Sequence, residues 1–103
     1  MILHYKYCGW IKDSNNKTKV WGIVVWVADD RTRDYIFWGT PTQLKIKSPQ
    51  VYSKERKTWV SERIKRKRRQ GYTKVEDKDV NETFPGLESE INMFMMLRKL
   101  KNA

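Results

Sequence analysis

Between Arg63 and Arg69 the chain reads RIKRKRR, six cations in seven positions. Such side chains neutralise phosphates. At helical spacing, with nothing to offset them, they also repel one another at i,i+3 and i,i+4. A solvated helix face, with cations favoured near the C-terminal end of the dipole, accounts for one or two of them. An outside counter-charge accounts better for the rest, which makes Arg63, Lys65, Arg66, Lys67, Arg68 and Arg69 the first candidates for holding a polyanion. A second set lies upstream. QLKIK, Gln43 to Lys47, alternates with period two, so Lys45 and Lys47 project from the face opposite Leu44 and Ile46. Tyr35 and Trp38 stand on the preceding segment. Rings that stack on bases or ribose, beside cations that meet phosphates, suit nucleic acid. Trp21, Trp26 and Trp59 are expected in the core, while Trp38, next to Gly39 and Pro41, is open to either role.

Catalytic chemistry has little to stand on. His4 is the only histidine, and on a strand it is expected to serve structure rather than to ligate. Cys8 falls on the same strand face by alternation, but two ligands do not make a zinc site. No glycine-rich phosphate loop and no nucleophile motif is present. The carboxylates gather between Glu76 and Glu90, where mutual solvation explains them. No enzyme, metal or cofactor is expected.

The elements that must position the cations follow from periodicity. Ile2 to Trp10 alternates around Leu3, Tyr5 and Tyr7 and predicts a strand, and the polar DSNNKT stretch a turn. VWGIVVWV, Val20 to Val27, is β-branched and aromatic and predicts the most buried strand. A hairpin tip at Asp29 to Arg31 leads to a return strand, Asp34 to Trp38, broken at Gly39-Thr40-Pro41. With Gln43 to Lys47 these make an antiparallel meander with one face covered. The cover is a helix from about Ser53, a side chain able to cap the first turn, to Gln70. Trp59, Val60 and Ile64 lie along one of its sides. Gly71 suits the left-handed position after the helix, and Tyr72 can fold back on the last turn.

A length of 103 residues allows one domain with a modest core, and five tryptophans favour a packed globule. The net charge of +10 is unevenly spread. Lys54 to Lys74 holds ten basic and two acidic residues, whereas Glu76 to Glu90 holds six acids and one lysine. A concentrated excess points to a polyanionic partner. After the acidic stretch and Phe84-Pro85-Gly86, Leu87 to Lys101 predicts a second helix, with Glu88 and Glu90 near its start and Arg98, Lys99 and Lys101 near its end. Leu87, Ile91, Met93, Phe94, Met95, Met96, Leu97 and Leu100 wrap over half its circumference. One face is free to pack, leaving Phe94, Met95 and Leu97 for a second copy or another protein. No apolar run approaches a membrane span. The start lacks a signal peptide's basic and apolar regions. A single cysteine fits a reducing interior, so a cytoplasmic or nucleoid-associated place is expected.

The order of these elements resembles the WGR domain, known from DNA-dependent poly(ADP-ribose) polymerases and from bacterial proteins. The matching features are NKTKVWGIVVW (Asn16 to Trp26), YIFWG (Tyr35 to Gly39), QLKIK, a helix, and RRQGY (Arg68 to Tyr72). The resemblance implies an antiparallel sheet with one helix across it, and DNA binding through a tryptophan, here Trp38, and basic residues near the Trp-Gly motif. Thr40 stands where the family has arginine, and Pro41 follows, so the motif arginine's role does not carry over. The expected organisation is an α+β fold: residues 1–75 a WGR-like domain with one helix packed across a small antiparallel sheet, 76–86 an acidic linker, and 87–103 a C-terminal amphipathic helix. The expected function is non-catalytic nucleic-acid binding, DNA in preference to RNA, at the backbone or at ends. The alternative is a small protein-interaction module, a phage-type inhibitor or adaptor, docking its basic surface on an acidic protein.

Overall fold

The structure, a computed structural model, describes residues 1–28, 31–47 and 56–101. One antiparallel sheet contains β1 (Ile2–Lys12), β2 (Thr18–Ala28), β3 (Arg31–Thr40), β4 (Gln43–Lys47) and β5 (Thr73–Lys74), in the order β4-β3-β2-β1-β5. The helices are α1 (Arg56–Arg69), α2 (Val80–Thr83) and α3 (Leu87–Lys101). The α+β class and the meander agree with the sequence, and β4 has the expected bounds. Of the hairpin tip expected at Asp29 to Arg31, residues 29 and 30 lie outside the described residues, as does the cap at Ser53, while Arg31 already belongs to β3.

Several boundaries differ: β1 runs on to Lys12, β2 starts at Thr18, and β3 starts at Arg31. β3 does not stop at Gly39 but runs through Thr40, so the break falls at Pro41. Gly39 makes this possible: its φ is +120°, and a Cβ there would lie 2.5 Å from the Gln43 carbonyl oxygen. β5 was not foreseen. It extends the sheet beyond β1, pairing Lys74 with Gly9 and Thr73 with Trp10.

Both faces of the sheet are covered, not one. On the first face Tyr5, Cys8, Val20, Val24, Phe37 and Ile46 pack with Val80, Phe84, Leu87, Ile91 and Met95 of the C-terminal helices. On the second face Tyr7, Trp21 and Ile23 pack with Trp59, Val60 and Ile64 of α1, and with Ile36, Trp38 and Tyr72. The cause lies in β2, whose VWGIVVWV run is apolar at both phases of the alternation. A strand of that kind is stable only between two apolar layers.

β1 serves both layers by a different device. Its register against β2 shifts between Ile2 and His4 and again between Tyr5 and Tyr7. Each irregularity re-aims the side chains that follow. Tyr5 and Tyr7, expected on one face, therefore enter opposite cores, and Leu3 is exposed. His4 and Cys8 are likewise separated. His4 is exposed on the α1 side, whereas Cys8 is sealed in the α3-side core, where burial pushes its thiol up to about 12.

The segment 76–86, expected as a linker, is part of the packed domain. A 3-10 turn at Asp77–Asp79 leads into α2, and Val80 and Phe84 are both buried in the α3-side core. The Asp77 carboxylate accepts the Tyr5 backbone N–H at 2.7 Å, and the Val75 N–H donates to the Cys8 carbonyl at 2.7 Å. α3 then lays Leu87, Ile91 and Met95 along the sheet at i, i+4 and i+8. Of the three residues expected at an interface, Met95 belongs to this core, Phe94 packs half-buried against it, and Leu97 is exposed beside Met93 and Met96.

Ile91 is 0% exposed and Met96 is 64% exposed. Ile91→Ala is expected to cost about 2–5 kcal/mol of folding free energy, through lost transfer energy and the cavity left behind. Met96→Ser should stay within about 0.5 kcal/mol of the parent. Urea unfolding of the two variants checks the pair, and similar midpoints would mean that α3 is not part of the core.

Candidate nucleic-acid interface

α1 packs through a stripe rather than a broad face. Val60, Ile64 and Lys67 fall at i, i+4 and i+7, and two of them are apolar. Trp59 and Arg63 flank the stripe. The helix ends at Gly71, with φ +101°. The Gly71 N–H donates to the Arg68 carbonyl at 3.0 Å, and the Tyr72 N–H donates to the Lys67 carbonyl at 3.1 Å. This is the paired bonding of a Schellman cap. It turns Tyr72 back beneath the last turn, as the sequence predicts.

The six cations of the run do not form one surface. Lys67 turns inward, its Nζ 5.3 Å from the Tyr72 ring centre and 5.5 Å from that of Trp21. The Arg63 guanidinium sits 5.5 Å from the Trp59 ring centre. Both are within range of cation–π attraction. Lys65, Arg66 and Arg69 are exposed toward the outer side of α1, Lys65 also bordering a cleft on one flank, and Glu62 is the one acid within a turn of them in the sequence. Arg68, also exposed, leans toward the opposite flank. Among the described residues, none of the six is in an ion pair with a carboxylate. Loss of solvation is the main reason the Lys67 amine is held below the usual lysine range, with Arg63 and Arg66 adding to it.

Two clefts flank the helix. The first, about 500 Å³, is lined by Trp21, Trp38, Trp59 and Tyr72 together with Lys47, Arg63 and Lys67. Trp38 reaches it because β3 places Ile36 and Trp38 on the α1 side, with Lys47 and Lys45 opposite them in β4. Lys45 is exposed on the same face and does not line the cleft. Tyr35, expected beside Trp38, lies on the other phase and is buried in the α3-side core. The second cleft, about 860 Å³, holds His4, Lys6, Lys65 and Arg68 around Asp34. Asp34 is 5% exposed, and its carboxylate meets the Lys6 ammonium at 2.7 Å.

The charge is therefore layered. The basic run lies on the α1 layer, while the acids from Glu76 to Glu90 lie in β5's continuation, the 3-10 turn, α2 and the start of α3, across the sheet. Among the described residues no group of three or more His, Cys, Asp or Glu is placed to hold a metal ion. The inward turn of Lys67 and the roles of Trp59 and Tyr72 in the first cleft were not singled out by composition. The spacing Val60, Ile64, Lys67, Gly71 carries the signal, since it puts one cation of the run on the packed stripe. No family model matches the chain, and no curated protein or solved structure matches it either.

The lowered pKa of Lys67 has a definite sign in stability. The folded chain holds this proton less tightly than the unfolded chain, so the unfolded chain carries more protons between the folded value and the ordinary lysine value of 10.5. Stability contributed at this site rises with pH through that window. The parent should gain on Lys67→Gln as the pH rises toward 10.5, measured as the difference in urea midpoint. A difference that stays constant would put the ammonium in open solvent.

Proposed function

We propose that the protein is a non-catalytic nucleic-acid-binding domain that meets the phosphate backbone with the outer side of α1. The observation that carries this reading is the cluster of Lys65, Arg66 and Arg69, exposed and without carboxylate partners among the described residues. Holding these charges at i, i+1 and i+4 costs repulsion in the free protein, and a polyanion removes that cost. The layering of charge supports it further, because a bipolar domain approaches an anion with its α1 layer first. Arg63, Arg68, Lys45 and Lys47 extend the positive surface on the same side of the sheet. The resemblance of WGR domains to the Trp38-Gly39 and Gly71-Tyr72 segments points to DNA as the nucleic acid.

Binding to phosphates alone is sequence-independent and has a measurable signature. Replacing Lys65, Arg66 and Arg69 together by Gln should lower the log–log salt slope of duplex DNA binding by about 0.9 for each phosphate no longer neutralised. Fluorescence anisotropy across a salt series reads this directly, with circular dichroism confirming the fold. An unchanged slope would return the run to a solvated helix face. Absence of any duplex or RNA binding by the parent would favour an acidic protein as the partner of this surface.

A second reading rests on α3. Met93, Met96 and Leu97 are each more than half exposed and recur along one side of the helix. An uncovered apolar stripe of this kind marks a docking surface, and a symmetric pair of chains is its commonest occupant. Sedimentation should show a dimer for the parent and a monomer for the Met93→Ser, Leu97→Ser variant. A parent that sediments as a monomer at all concentrations overturns self-association.

A further inference from the structure

The first cleft is left over by backbone binding on the outer side of α1. Its walls are aromatic, its volume of about 500 Å³ falls within the range of small-molecule sites, and it opens where β3 and β4 meet the helix. The rings and the cations together decide what it holds. Aromatic walls alone would suit a quaternary ammonium group. Lys47, Arg63 and Lys67 oppose that outcome, because each would repel a cation brought among them. Lys67 weighs most. Its ammonium is half-buried, rests against two ring faces, and has no carboxylate partner among the described residues. A ligand that brings a negative charge completes that arrangement, and one that also brings a flat π surface uses the rings. Trp21 is 5% exposed and forms the floor, whereas Trp38 and Trp59 are half-buried and keep ring surface open to the cleft.

We propose that this cleft receives one unstacked nucleotide, its base against Trp38 and Trp59 and its phosphate among Arg63, Lys67 and Lys47. A nucleotide borne on a strand and a free nucleotide offer the same chemistry. The strand-borne case rests on the nucleic-acid reading above. It adds a preference for unpaired over paired strands, since a base inside a duplex reaches the rings only after paying to leave its stack.

Tryptophan emission reports the event, because a base stacked on indole quenches it. Adenosine monophosphate, a single-stranded oligonucleotide and a duplex of equal length are titrated separately. Saturable quenching by the mononucleotide and by the single strand is expected, with adenosine lacking the phosphate binding more weakly. Arg63→Gln and Trp38→Ala should each weaken the mononucleotide by about tenfold, in keeping with the worth of one stacking or phosphate interaction. Arg63→Gln carries the test if Trp38→Ala loosens the packing of α1. Quenching that is unaltered in the folded variants, or none up to millimolar mononucleotide while duplex binding persists, overturns the cleft and leaves backbone binding standing. Mononucleotide quenching that depends on Arg63, without affinity for any strand, upholds the cleft and overturns the nucleic-acid reading instead.

Discussion

β2 can exist only between two apolar layers, and the rest of the molecule is arranged to supply them. Its side chains alternate between Val20 and Val24 on one side and Trp21 and Ile23 on the other, all five per cent exposed or less. A 103-residue chain has little material for two cores, so neither is large. The α3-side core takes most of the aliphatic residues and is the drier of the two. The α1-side core is closed with tryptophans, a tyrosine and the hydrocarbon stem of a lysine. Long amphipathic side chains of that kind cover apolar surface while keeping a polar end near water.

The two layers also differ in charge. The α3 layer binds the chain to itself: Val80, Phe84 and Leu87 from the acidic stretch, with Ile91 and Met95 after it, hold the C-terminal segment against the sheet. The α1 layer is less completely packed, and its gaps are lined with cations. Lys67 and Arg63 have aromatic faces to rest on, and the acids of 76–90 lie across the sheet. The larger aliphatic core and the clustered cations thus lie on opposite faces of the same sheet.

Much of this architecture is readable from residue types. The QLKIK alternation gives β4 to the residue, and RRQGY gives the end of α1 together with the return of Tyr72. The second covered face was also within reach, since VWGIVVWV has no polar phase to offer water, and Leu87, Ile91 and Met95 recur at helical spacing. The acidic composition of 76–86 masked Val80 and Phe84, two apolar residues four apart that anchor the segment. The bulges of β1 had no such marker. Ile2 to Trp10 looks like plain alternation, and a register shift depends on how β2 pairs with it, which is a property of two strands rather than one. For the candidate site, the charge run picked out α1. It could not distribute six similar side chains among an outer side, two clefts and a packed stripe until the phase of α1 against the sheet was known.

The burial of Cys8 reaches beyond packing. Its sulfur is 0% exposed, and its thiol stays protonated far above neutral pH. Thiolate is the form that attacks disulfides and meets peroxide, so Cys8 in the native chain presents almost nothing for an oxidant to act on. No cross-link between two folded copies can form through this residue, and no glutathione can cap it without opening the sheet. A lone cysteine in the sequence invites a reducing compartment as its explanation, yet once folded Cys8 would keep its thiol in an oxidising one as well.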